Sequence, residues 1–178
     1  MTKDEFDHAI RAAGAVLGVS EVLVIGSQAV HGSVPGDLPE EALRSVEVDV
    51  AVFGDVDGAK ADLLDGSIGE ASIFHESFGF YAQGVVETTA VLPEGWRERL
   101  VRYESPGTGG VVAWCLELHD LWVSKAVAGR PKDIEFCRAF LDQGTVRARV
   151  LHRRLAATVG LDDAVQDHVR RLIGPTKD

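Results

Sequence analysis

Basic residues are scarce in this chain, cysteine nearly absent, and no run of apolar residues is long. Eighteen Lys and Arg stand against 28 Asp and Glu in 178 residues, a net charge of −10. That excess repels phosphate backbones and argues against a protein that coats nucleic acid generally. The two cysteines, Cys115 and Cys137, lie far apart in no metal-ligand spacing and read as reduced, buried small side chains. The six histidines form no HxxxH or HExxH cluster, which argues against a zinc site. No apolar stretch approaches the roughly 20 residues a membrane helix needs. The opening Met1-Thr2-Lys3-Asp4-Glu5 lacks a signal peptide's apolar segment. The expectation is a cytoplasmic protein with no membrane partner. No internal repeat or low-complexity segment is present either.

What is present suits a packed core: 46% of residues are hydrophobic and 26% charged. The charge is uneven. Residues 1–118 carry 7 Lys/Arg against 20 Asp/Glu, whereas residues 119–178 carry 11 against 8. An acidic metal-binding part facing a basic phosphate-binding part fits this split, and so does a chance asymmetry of solvated faces.

Thr2-Lys3-Asp4-Glu5 is a capping box, and Phe6, Ile10, Ala13 and Val16-Leu17 recur at helical spacing, which predicts a helix over 3–17 ended by Gly18. Glu21 to Ile25 is a short buried strand. Gly26-Ser27 follows directly, and Gln28 to His31 begins a short helix. Residues 32–45 are rich in turn formers and read as a loop. Val46 to Phe53 is the clearest strand, with Val46, Val48, Val50 and Val52 on one face and Glu47, Asp49 and Ala51 on the other. Ala59 to Leu64 is helical, and residues 66–83 give no clear periodicity, although Ile73-Phe74 and Phe78 to Tyr81 belong to the core or a pocket wall. Strands are predicted at Gly84–Leu92 and Arg99–Tyr103, and Val111–Leu116 is either a strand or an apolar lead-in to a helix. From Glu117 on the pattern is helical throughout: one helix ended by Gly129, a second starting at Pro131 and running to Asp142, then helices over 145–158 and 161–173. Asp162-Asp163 caps the last one.

Glu47 and Asp49 share one strand face, roughly 7 Å apart along it. Such a pair suffers repulsion and desolvation unless a cation offsets it, and Mg²⁺ or Mn²⁺ is the natural hard partner. Alone, the pattern also fits a strand with its polar face in water. Gly26 lets a ligand approach the backbone, and amides at the following helix start attract anions. Strand, Gly-Ser, short helix, loop, then Glu-x-Asp is a compound pattern rarer than its parts.

Ile25-Gly26-Ser27 and Glu47-Val48-Asp49-Val50 resemble the signature of the nucleotidyltransferase superfamily typified by DNA polymerase beta and the kanamycin nucleotidyltransferases. The resemblance implies an α/β (α+β) fold: a mixed-sheet nucleotidyltransferase core over residues 1–116 and a C-terminal helical bundle over 117–178, with the active site between them. It implies that Gly26 and Ser27 hold the β- and γ-phosphates of a nucleoside triphosphate while Glu47 and Asp49 bind the metal ions. Ser124-Lys125 through Arg130-Pro131-Lys132-Asp133 is similar to the Lys…Arg-x-Lys-Asp motif of toxin-type nucleotidyltransferases, the AbiEii and MenT groups. On that likeness Lys125 contacts the triphosphate, Arg130 and Lys132 add positive charge, and Asp133 orients a base or positions the acceptor. The chain departs from the pattern in three ways. The Ser27–Glu47 gap is long. The first acid is Glu, which reaches farther than the commoner Asp. The third metal-binding acid is not obvious, Glu87 being the candidate.

Trp96 after Pro93-Glu94-Gly95 reads as a core plug rather than a base-stacking group. Arg147, Arg149, Arg153, Arg154, Arg170 and Arg171 are either a solvated helix surface or a groove for tRNA. His31 lies close in sequence to the phosphate cradle. The resulting expectation is a Mg-dependent nucleotidyltransferase moving a nucleotide from an NTP to a tRNA or protein acceptor, as a toxin paired with an antitoxin protein. Its alternatives are a catalytically weak nucleotide-sensing or protein-binding module, and an interaction protein that keeps the fold and uses none of the site.

Overall fold

The computed structural model describes residues 1–175. Helix α1 (Lys3–Leu17) opens the chain with Thr2 and Glu5 closing a reciprocal capping box, and Gly18 ends it in the left-handed conformation. Its apolar stripe, Phe6, Ala9, Ile10 and Ala13, is buried. Strand β1 (Glu21–Val24) follows, then a 3-10 turn (Ser27–Ala29) running into the four-residue α2 (Val30–Ser33). The expected loop at 32–45 contains a second short helix, α3 (Glu40–Leu43). Strand β2 (Glu47–Ala51) is shorter at both ends than the sequence pattern predicts.

Helix α4 (Ala59–Ile68) and α5 (Ile73–Phe78) occupy half of the stretch that lacked periodicity. Strand β3 (Tyr81–Gly84) lies upstream of the expected 84–92 strand, and residues 87–89 form a 3-10 turn instead. The β2–β3 register ends at Val50–Gly84, and Gly84 passes so close to α4 that a Cβ there would sit 2.1 Å from the Ala61 carbonyl oxygen. Residues Trp96–Arg99 are likewise a 3-10 turn, leading into β4 (Val101–Tyr103) and then β5 (Val112–Cys115).

The strands form one five-stranded mixed sheet in the order β3-β2-β1-β5-β4. β1 pairs antiparallel with β2 and parallel with β5, β2 pairs parallel with β3, and β4 pairs antiparallel with β5. The buried valines of β2, Val48 and Val50, enter the core, whereas Val46 is 46% exposed. Cys115 and Cys137 are both free and buried.

Four helices follow: α6 (Leu118–Ala128), α7 (Pro131–Asp142, with Pro131 in its first turn), α8 (Ala148–Ala156) and α9 (Asp163–Ile173, capped by Asp162). α6 is buried on several sides because it touches the 3-10 turn after β1 as well as α7, α8 and α9. Trp122 on α6 is fully buried, its indole N–H donating to the Cys137 carbonyl at 2.8 Å. The apolar core is therefore continuous from α1 and the sheet into the C-terminal helices. No helix among the described residues is long and apolar enough to cross a membrane.

Candidate functional site

A cavity of about 740 Å³ opens between the sheet and the C-terminal helices. Gly26, Ser27, Glu47 and Asp49 line it from the sheet side, and Lys125, Arg130, Lys132 and Asp133 line it from α6 and α7. Residues separated by up to about a hundred positions in sequence thus face one space. This is the size of a small-molecule pocket, but its lining is richer in polar and charged side chains than most such sites, with acids on the sheet side and bases on the helix side.

The Gly-Ser turn is stitched to β2. The Ile25 amide donates to the Asp49 carbonyl at 3.2 Å, and the Ala29 amide returns to the Gly26 carbonyl at 3.0 Å. Gln28, fully buried, donates from its side chain to the Ala42 carbonyl at 3.0 Å and so ties the turn to α3. The consequence for residue 26 is severe. A Cβ on Gly26 would fall 1.5 Å from Asp49 Oδ2, inside the space the carboxylate occupies. Glycine is required there by close approach, its φ of −83° being open to any residue.

Burial, together with the neighbouring Glu47 charge, pushes the Asp49 carboxyl up to about 6, against the pull of Lys125, Lys132 and Arg130. A carboxylate held this uncomfortably is one that a cation would relieve. Glu47 is half-buried and accepts a hydrogen bond from the Tyr81 hydroxyl at 3.0 Å. Tyr81 sits opposite Glu47 in the parallel β2–β3 register. Burial and the Glu47 contact raise the phenol's pKa, so it remains a donor.

Across the cavity, Asp133 is fully buried and accepts from Lys125 Nζ at 3.0 Å and from Arg130 Nε at 2.5 Å. Burial pulls its pKa up, but the Arg130 hydrogen bonds and the Lys125 charge outweigh burial and leave it below the usual range. Lys125, which the sequence left needing an anionic partner on an apolar stripe, finds one here and also lies 5.1 Å over the Phe136 ring. At the rim Arg44 reaches Glu135 at 2.9 Å, joining the α3 segment to α7.

Glu87 is not part of this assembly. With β3 ending at Gly84, Glu87 falls in a 3-10 turn, where it accepts from the Gly54 amide at 3.1 Å and pairs with Arg97. It does not line the cavity. Among the described residues no cluster of three or more His, Cys, Asp or Glu is placed to hold a metal. His31 is also elsewhere: its ring stacks on Phe6 and its Nε2 lies 3.0 Å from Gln28 Oε1 and 3.2 Å from the Met1 carbonyl. Trp96 is partly buried against the core with Arg97 over its ring, as a plug would be.

Two carboxylates still fit a magnesium-type ion. Mg²⁺ is commonly held by one or two protein carboxylates, with water and substrate phosphates completing its shell. The crowding of Asp49 against the Gly26 backbone would set such an ion beside the Gly26-Ser27 turn. Tyr81 lines this cavity, one of the two places the sequence allowed it, but its pairing with Glu47 escaped sequence reasoning, as did Arg44 and Glu135, because a strand register and a helix packing placed them there.

A Gly-Ser turn packed onto an acidic strand of a mixed sheet, with helices closing the cleft, is the architecture of the nucleotidyltransferase class. The family described as "Nucleotidyltransferase of unknown function (DUF6036)" matches over residues 6–171, and the chain belongs to that family. Neither a curated protein nor a solved structure gives a significant match.

Proposed function

We propose that the protein is a Mg²⁺- or Mn²⁺-dependent nucleotidyltransferase that moves a nucleotide from an NTP to a hydroxyl of a tRNA or protein acceptor. The observation that carries this reading is the Asp49 carboxylate, crowded against Gly26 in a cavity whose far wall is cationic. Glu47 and Asp49 are the residues that would hold the ions, which when bound neutralise charge on the phosphates and activate the attacking hydroxyl. The Gly26 backbone and the Ser27 hydroxyl cradle the β- and γ-phosphates. Lys125, Arg130 and Lys132 bind the triphosphate's negative charge, with Asp133 keeping Lys125 and Arg130 aimed. The acceptor hydroxyl loses its proton to solvent as its oxygen bonds to the α-phosphorus, the bond from that phosphorus to the bridging β-phosphate oxygen breaks, and pyrophosphate leaves with that electron pair.

Incubation with α-labelled NTPs, Mg²⁺ and either bulk RNA or lysate protein is expected to label one acceptor class. Asp49→Ala should abolish the label and the metal dependence. Transfer that survives this substitution would show the site to be misassigned. The resemblance of the Lys125–Asp133 segment to the motif of toxin-type nucleotidyltransferases is what suggests a toxin role with an antitoxin partner. Growth arrest on expression, relieved by a neighbouring gene's product, is the expected sign.

One observation favours a second reading. With no third acid near Glu47 and Asp49 among the described residues, a catalytically weak protein that senses a nucleotide also fits. It would show metal-dependent stabilisation by an NTP without any transfer.

A further inference from the structure

Glu47 stands where the superfamily pattern more often has Asp, and its longer side chain carries an extra rotatable bond. An ion ligand on such a chain must be fastened or lose precision. The structure holds a fastening. Tyr81 faces Glu47 across the parallel β2–β3 pair and donates its hydroxyl to Glu47 Oε2 at 3.0 Å, leaving Oε1 without a hydrogen bond among the described residues. Tyr81 is itself held rigidly. It is only 6% exposed, and the His75 ring lies 4.6 Å from its ring. Both Tyr81 and Glu47 line the cavity.

We propose that Tyr81 is a positioning residue that locks the Glu47 carboxylate in its ion-holding orientation, so that Glu47 and Tyr81 work as one unit. The inference rests on the metal-dependent nucleotide reading given above. It has a consequence that runs against the superfamily pattern. Glu47→Asp, although it restores the commoner acid, draws the carboxylate back from the Tyr81 hydroxyl and should weaken ion binding rather than improve it.

The test is Mn²⁺ binding, followed by electron paramagnetic resonance and by thermal shift, with each of the four nonhydrolysable NTP analogues present. Tyr81→Phe removes one hydroxyl and keeps the ring, so the fold is expected to persist. Loss of a group that orients an ion ligand commonly costs about 10–100-fold in metal affinity, and a loss in that range is expected here. NTP binding without metal should stay unchanged. Glu47→Asp should lose a comparable factor, and adding Tyr81→Phe to Glu47→Asp or Glu47→Gln should cost nothing more, because the hydroxyl acts only through the carboxylate. Parental Mn²⁺ affinity in Tyr81→Phe or in Glu47→Asp overturns the proposal and leaves the nucleotide reading standing. An equal further loss in the Glu47→Gln background overturns it too, since Tyr81 would then act through general packing. If the unaltered protein shows no Mn²⁺-dependent NTP binding, the nucleotide reading and this inference both fall.

Discussion

At the scale of single residues, Asp49 and Gly26 are mutually dependent. The Asp49 carboxyl, raised to about 6 from 3.8, is less readily ionised in the fold than in the unfolded chain. The stability linked to this group is therefore complete below pH 3.8 and declines as pH rises through 6. In metal-free protein Asp49→Asn should remove that loss, raising stability at pH 8 by about 2–3 kcal/mol and by almost nothing near pH 3.5. Urea denaturation at the two pH values checks this, and equal gains at both would refute it. In the opposite direction, Gly26→Ala forces a methyl into the space of the carboxylate. A destabilisation of about 1–3 kcal/mol, with loss of metal-dependent NTP stabilisation in a thermal-shift assay, is expected. Both residues were legible in the sequence as a Gly-Ser turn and an acidic strand. Their contact was not, because it depends on how β1 and β2 pair.

At the scale of elements, the α6–α7 junction behaves as a unit built on Asp133. This acid sits at the start of α7, where the helix dipole favours negative charge, and it binds Lys125 of α6 and Arg130 of the linker. Asp133→Ala leaves Lys125 in a cavity wall without its partner. A loss of about 3 kcal/mol is expected, somewhat less if Arg130, largely exposed, turns to solvent. Because the Asp133 pKa is lowered, its contribution holds at neutral pH and should fade only below the ordinary Asp value near 3.8. A urea midpoint for Asp133→Ala equal to the parent's at pH 7 would contradict this. The basic residues and the acid were visible in sequence as a cluster flanking Gly129-Arg130-Pro131. Glu87 shows the reverse case. A strand assumed to continue past Gly84 put it beside the site, whereas the chain turns at residues 87–89 and Glu87 is held by the Gly54 amide and Arg97.

For the whole molecule, the cleft exists because the helices are packed onto the sheet by one core. Trp122, at the centre of α6, is fully buried in that core and ties α6 to α7 through the Cys137 carbonyl. Trp122→Ala should cost about 3–5 kcal/mol and lower the stability of sheet and helices together. The check is thermal unfolding followed by near-ultraviolet circular dichroism and by tyrosine fluorescence, since Tyr81 and Tyr103 report on the sheet. Coincident transitions are expected, and a sheet that melts separately from the helices would disprove the coupling.

Local chemistry written in consecutive residues was decided by the sequence: the capped first helix, the buried strand ending at Gly26-Ser27, the alternation around Glu47 and Asp49, and the helical run after Glu117. These depend on neighbours within a turn or a strand, where periodicity and capping carry the information. The tertiary structure decided how distant groups meet in the cavity, a convergence that the family resemblance implied for the Gly-Ser turn, the acidic strand and the Lys125–Asp133 segment but that no local pattern contains. It matched Tyr81 to Glu47, brought Asp133 beneath two cations opposite Asp49, and sent Glu87 and His31 elsewhere. Strand register and helix docking are set by the packing of the whole core, a sum over many residues that no short motif contains.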